Sequence, residues 1–203
     1  MSGVLGSSRP GRKGEVSLTK ICLLGEGGVG KTSLRRRYLG EGFPHTYAAT
    51  IGADFAVKEV ECRVGEGTNA RNVRFRFQIW DLAGQARFAP VRKIFYQGAT
   101  GALLVFDIAR TQTFQNLKTW VREFFANNGG GERPLILVGN KVDLRPSFPS
   151  CISEEHGEML AEQLSIFFRK KKLQVHYIET SAKDGTNVDH AFEYLAKTIW
   201  GFF

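Results

Sequence analysis

Two hydrophobic rhythms alternate along the chain. Ile21-Cys22-Leu23-Leu24, Ala102-Leu103-Leu104-Val105-Phe106 and Leu135 to Val138 are continuous apolar runs, the pattern of strands covered on both faces. The first is read as a strand from Leu18 to Leu24, and His176 to Ile178 as a further short strand. Val73 to Trp80 instead alternates, with Val73, Phe75, Phe77 and Ile79 on one face and Arg74, Arg76 and Gln78 on the other. Paired with Phe55 to Val64, it predicts an antiparallel hairpin at a sheet edge, joined by a long connection, Gly65 to Asn72. Helical spacing fills the gaps. Lys31 to about Leu39 is the first helix, ended by Gly40-Glu41-Gly42, and Phe43 to Ile51 follows as a loop. Phe114, Leu117, Trp120, Val121, Phe124 and Phe125 mark another helix, which Gly129-Gly130-Gly131 breaks; the aromatic stripe reads as core packing. Ser153 caps a helix with Glu154 and Glu155 in its first turn, and Val188, Ala191, Phe192, Leu195 and Ile199 mark the last. Strands alternating with helices of this length predict an α/β fold: a six-stranded, mostly parallel sheet with one antiparallel edge strand and helices on both faces.

At 203 residues the chain suits one domain, expected over 18–203 after a flexible basic tail at 1–17. That tail lacks the apolar centre of a signal peptide, and no apolar run is long enough to span a membrane. Cys22, Cys62 and Cys151 are odd in number and lack metal-ligand spacing, so a reducing, cytoplasmic setting is expected, with peripheral membrane association as the variant. The net charge of +8 gathers in the tail, in Arg35-Arg36-Arg37 and in Arg169-Lys170-Lys171-Lys172. No nucleic-acid motif or stacking aromatic accompanies these runs. They read as solvated surface, with no nucleic acid as partner and at most weak electrostatic contact with anionic lipid.

One stretch changes the picture from fold to chemistry. Gly25-Glu26-Gly27-Gly28-Val29-Gly30-Lys31-Thr32 fits the G-x-x-x-x-G-K-[ST] phosphate loop and lies between a predicted strand and a predicted helix, the context that motif needs. Its glycines let backbone N–H groups close around a phosphate, and the helix beginning at Lys31, Thr32 and Ser33 adds partial positive charge beneath it. Lys31 is expected on the terminal phosphates and the Thr32 hydroxyl on Mg²⁺.

In sheets of this kind ligands sit beyond the carboxyl ends of the strands, so the polar segments there carry the remaining information. Asp81-Leu82-Ala83-Gly84-Gln85 is read as a loop after the third strand; Asp81 is suited to hold Mg²⁺ through water, and the Gly84 N–H to meet a terminal phosphate. Gly139-Asn140-Lys141-Val142-Asp143 offers a carboxylate for the paired N1–H and 2-amino donors of guanine, which adenine cannot present. The backbone of Thr180-Ser181-Ala182-Lys183 is placed to meet the guanine carbonyl. Each is weak alone; in this order, each at a strand end, they reinforce one another.

With these motifs the chain resembles a Ras-superfamily small GTPase, most similar to the Rab branch through Thr50-Ile51-Gly52-Ala53-Asp54-Phe55 and Trp80-Asp81-Leu82-Ala83-Gly84-Gln85-Ala86-Arg87-Phe88, from about Lys20 to Trp200. The resemblance implies the P-loop small G-protein fold, GTP/GDP and Mg²⁺ as ligands, and a monomeric switch that hydrolyses GTP slowly, in membrane trafficking or signalling. It implies an exchange factor, a GTPase-activating protein and effectors as partners. It makes Thr32, Thr50 and Asp81 metal ligands, Gln85 the residue that orients the attacking water, and Lys31 its catalytic companion. It places Phe43 and Lys141 against the base, where Asn140, Asp143, Ser181, Ala182 and Lys183 complete the pocket, and assigns Gly25, Gly27, Gly28, Val29 and Gly30 to the phosphates. Leu82 and Ala86 depart from the usual Thr and Glu. No cysteine lies near Trp200-Gly201-Phe202-Phe203, so no lipid anchor is evident. Two rivals stand beside the switch: a GTP-binding scaffold with negligible hydrolysis, and an unrelated P-loop ATPase or kinase, against which Asn140, Lys141 and Asp143 speak.

Overall fold

The computed structural model describes residues 16–43, 49–65, 67–168 and 173–202. Residues 1–15 of the expected tail, Pro44 and His45 of the first loop, and the Arg169–Lys172 run lie outside these. Six strands form one sheet: β1 (Val16–Leu24), β2 (Ala53–Val64), β3 (Arg71–Leu82), β4 (Gly101–Asp107), β5 (Leu135–Asn140) and β6 (His176–Thr180). Their order is β2-β3-β1-β4-β5-β6; β2 is the antiparallel edge strand and every other pairing is parallel. The α-helices are α1 (Lys31–Leu39), α2 (Ala89–Tyr96), α3 (Thr111–Gln115), α4 (Leu117–Asn127), α5 (Glu154–Phe167) and α6 (Val188–Phe202).

The continuous apolar runs have a direct cause. Along β1, Ile21 and Leu23 enter the core that contains Phe75, Phe77, Ile79 and Phe192, while Cys22 and Leu24 enter the opposite core with Leu104, Phe106 and Phe124. Both faces are covered, so no polar residue is tolerated at either parity. The chain leaves β1 first toward β3 and then crosses to β4 on the other side. The strand order therefore reverses at β1 and opens a crevice above its carboxyl end, where residues 25–32 lie.

Several boundaries differ from the sequence expectation. β1 begins at Val16, inside the expected tail. Asp81 and Leu82 continue β3, because the ladder runs on to Asp54 and Ala53 opposite them. The aromatic stripe divides at Asn116 into α3 and α4. Helix α2 has no counterpart in the predicted elements. Its Val91 and Ile94 are 44% and 68% exposed while Arg92 is buried beside Tyr96, so the polarity by which a helix is read from sequence is blurred there. The caps hold: Gly40 closes α1 in the left-handed region (φ 81°), and the Ser153 hydroxyl accepts the His156 N–H at 3.3 Å.

Candidate functional site

A cavity of about 490 Å³ opens over the carboxyl ends of the strands, a size suited to a small-molecule ligand. Its walls bring together Gly27, Gly28, Gly30, Lys31, Thr32 and Ser33 with Phe43, Thr50, Gly84 and Gln85, and with Asn140, Lys141, Asp143, Ala182 and Lys183. Residues far apart in sequence and expected at one site thus share one cavity. Gly25, Val29, Asp81 and Ser181 do not line it but stand behind it: Asp81 and Ser181 are fully buried, as is Val29.

The phosphate loop is shaped by its neighbours. Gly25 has φ 132°, and a Cβ there would overlap the Val105 carbonyl of β4. The Lys31 ammonium is 6% exposed and donates to the Gly25 and Glu26 carbonyls at 2.6 and 2.7 Å, so it lies folded over its own loop. Burial lowers this amine to about 8, with Asp81 pulling the other way. Outside the loop, Asn116 donates to the Glu26 carboxylate and Arg110 donates to the Gly27 carbonyl at 3.0 Å, anchoring the loop to the chain before α4.

Beside Lys31, three oxygen-bearing side chains converge. The Thr32 hydroxyl donates to Asp81 Oδ2 at 2.5 Å and lies 2.9 Å from the Thr50 hydroxyl, which donates to the same oxygen at 3.4 Å. Asp81 Oδ1 is buried with no hydrogen-bond partner. Burial raises the Asp81 carboxyl above its ordinary range, against the hydrogen bond from Thr32. Hard oxygen donors with an orphaned carboxylate oxygen among them fit Mg²⁺.

At the far end of the cavity Asn140 joins three segments. Its amide donates to the Val29 carbonyl at 2.8 Å, while its Oδ1 accepts from the Thr180 hydroxyl at 3.1 Å and from the Ala182 N–H at 3.2 Å. The peptide expected to face a guanine carbonyl therefore already donates to a side chain. Ser181 donates to Asp143 Oδ1 at 2.7 Å, fixing that carboxylate. Lys141 adopts a left-handed conformation (φ 72°) and pairs with Asp107 at 2.6 Å. Strain of this kind at a non-glycine residue costs about 1–3 kcal/mol and gathers at ligand sites.

Some site residues were not anticipated. Asp107 ends β4, 2% exposed and paired with both Lys141 and Arg110; the strand-end logic applied to β3 and β5 would have found it. The Arg35-Arg36-Arg37 run is not plain solvated surface as expected. Arg35 is buried against Asp54 at 2.6 Å, Arg36 lines the cavity, and Arg37 donates to the Ala182 carbonyl at 3.0 Å and to that of Lys183. The spacing of three arginines within a helix gave no sign of this. Leu82 is fully buried in the core and Ala86 is exposed in the short 3₁₀ turn Ala86–Phe88; neither lines the cavity.

A phosphate-loop motif after β1, a buried carboxylate on β3 and the Asn140–Asp143 segment after β5, around one crevice in a mixed sheet of this order, define a small G-protein domain. The Ras family pattern matches residues 20–200, and the chain belongs to that family. It is similar to the Ras-related protein RABG3f of Arabidopsis thaliana, 38% identical over 184 residues, 89% of this chain and 82% of the relative. It is also similar to the Ras-related protein Rab7 of Pisum sativum, 39% identical over 184 residues with the same coverage, and to the Ypt/Rab-type GTPase YPT7 of Saccharomyces cerevisiae, 37% identical over 185 residues, 90% of this chain and 81% of the relative. It is a GTP-binding, GTP-hydrolysing enzyme of the Rab branch, Rab7-like in sequence. No helix among the described residues is long and apolar enough to cross a membrane.

Proposed function

We propose that the protein is a slow GTPase switch of membrane trafficking, with GTP or GDP lying along the cavity, phosphates on residues 25–33 and base on 140–143 and 181–183. The observation that carries this reading is the Asn140 amide bonded to the Val29 carbonyl, which couples the base-reading segment to the phosphate loop at 2.8 Å. Asp143 accepts two donors from guanine, with Ser181 holding its other lone pairs. The Lys141 stem and Phe43 cover the base, and the Lys183 N–H meets its carbonyl edge.

Thr32, Thr50 and Asp81 hold Mg²⁺, which supplies positive charge beside the β- and γ-phosphates. Lys31 leaves its two carbonyls for the phosphate oxygens, where the charge that burial penalises is matched by an anion. Gln85 orients the water attacking the γ-phosphate in line, and Lys31 with the Gly84 N–H stabilises charge developing on the transferred group. Arg87 is exposed and takes no part, so rapid turnover needs an arginine from a GTPase-activating protein, a gain of roughly 10³–10⁵-fold in this chemistry. Thr50 and Gly84 are held by the γ-phosphate and released after hydrolysis; effectors read that difference, and an exchange factor resets it.

Single-turnover hydrolysis of GTP with Mg²⁺ tests the reading. Wild type is expected to turn over slowly and Gln85→Leu roughly 10²-fold more slowly at similar GTP affinity, the range for loss of a residue that manages the attacking water. Equal, negligible rates in both would instead favour the scaffold that binds GTP without hydrolysing it.

A further inference from the structure

Arg92, on the helix that the sequence did not reveal, is 4% exposed and makes contacts on two sides. On one side it grips α4: Nε donates to Glu123 Oε1 at 2.7 Å and Nη2 to Glu123 Oε2 at 3.0 Å, a bidentate pair. Tyr96 donates to the same Oε1 at 2.7 Å, and the guanidinium lies 4.2 Å from the centre of the Trp120 ring. On the other side a single nitrogen, Nη1, donates to the carbonyls of Ala83 and Gln85 at 3.1 and 3.0 Å.

Those two carbonyls bracket Gly84. A trans peptide is planar, with its C=O and N–H antiparallel, and no cis peptide is present among the described residues. The Ala83 carbonyl belongs to the same peptide unit as the Gly84 N–H, so gripping one fixes the direction of the other. It also polarises that N–H, making it a better donor to an anion. The Gln85 carbonyl belongs to the same peptide unit as the Ala86 N–H, so the unit on the C-terminal side of the glutamine Cα is fixed as well. Gly84 itself packs on the phosphate loop: a Cβ there would overlap the backbone of Glu26 and Gly27. A salt bridge that merely joined α2 to α4 would not need the second half of this arrangement.

We propose that Arg92, seated on Glu123, is a positioning residue for GTP hydrolysis: it orients the Gly84 N–H and the Gln85 backbone toward the γ-phosphate without touching the nucleotide. This rests on the functional reading above. It also makes the loop carrying Gly84 and Gln85 partly self-supporting, because a clamp built of protein groups holds what a γ-phosphate otherwise orders alone.

The test compares wild type with Arg92→Lys, which keeps a cation beside Glu123 but loses the planar fork, and with Tyr96→Phe, which removes a bond to Glu123 while leaving the loop untouched. In single-turnover assays Arg92→Lys is expected to hydrolyse GTP at least about 10-fold more slowly, with GDP and GTP affinity within about twofold of wild type; misplacement by an ångström costs up to 10²-fold in such chemistry. Tyr96→Phe should stay within about threefold. Hydrogen exchange of the GDP-bound proteins gives a readout independent of hydrolysis: the Gly84 and Ala86 amides should exchange at least about 10-fold faster in Arg92→Lys. Unchanged exchange there overturns the clamp, whatever the wild-type protein does with GTP. Faster exchange with an unchanged hydrolysis rate overturns the positioning role, and equal loss of rate and affinity reduces Arg92 to a packing residue. A wild type that neither binds nor hydrolyses GTP would defeat the GTPase reading, and the exchange result would still decide the clamp.

Discussion

The two ends of the cavity are held by different means. At the base end the polar groups are tied to other parts of the fold. Asn140 spans the phosphate loop and two positions near the end of β6, Asp143 is held by Ser181, and Arg37 of α1 grips the Ala182 and Lys183 carbonyls. Asn140 and Ser181 are 1% exposed or less. At the phosphate end the equivalents are looser. Among the described residues, Thr50 is tied through hydroxyl contacts with Thr32 and Asp81, and Gln85 is held through its backbone rather than its side chain. On the proposed function, a pre-built half would recognise the base whatever the phosphate count, and the half that ligand must complete would be the one able to report that count.

The largest effects should come from breaking the built half. Asp143→Asn removes the acceptor for two guanine donors. Losing two hydrogen bonds to a charged group, about 3–6 kcal/mol, should weaken GTP roughly 10²–10⁴-fold while favouring xanthosine nucleotides, as a fluorescent-nucleotide titration would read. Unchanged GTP affinity would remove Asp143 from base recognition. Asn140→Ala leaves the buried Val29 carbonyl and Thr180 hydroxyl without their partner, and should cost about 2–4 kcal/mol of stability, read as a lower thermal midpoint. A midpoint within a degree of wild type would mean that the three segments hold together without it.

Smaller effects are expected where ligand does the ordering. Chelating Mg²⁺ should speed release of bound GDP about 10–100-fold in wild type, and Thr32→Ala should abolish most of that response, since the hydroxyl central to the oxygen cluster is gone. A full response in Thr32→Ala would move the cation elsewhere.

The contrast also governs what the sequence made legible. Strand ends announce themselves when a continuous apolar run stops at a polar segment, and Asn140 and Asp143 were found that way. Residues that act by backbone grip carry no such mark. Arg92 sits on a short helix whose Val91 and Ile94 are exposed, and Arg37 in a charged run that resembles plain surface. Asp81 was singled out in the sequence but assigned to a loop, because an aspartate lowers strand propensity and pairing with Asp54 and Leu23 keeps it in β3. Position in the fold supplied what residue type could not.

Hydrogen exchange of the Mg²⁺-loaded protein with GDP, compared with a non-hydrolysable GTP analogue, tests the division between the two ends most directly. The account predicts that amides at 50–54 and 84–88 gain protection with the analogue, and that those at 178–183 stay the same in both. Equal change at both ends, or none at 50–54 and 84–88, would contradict it.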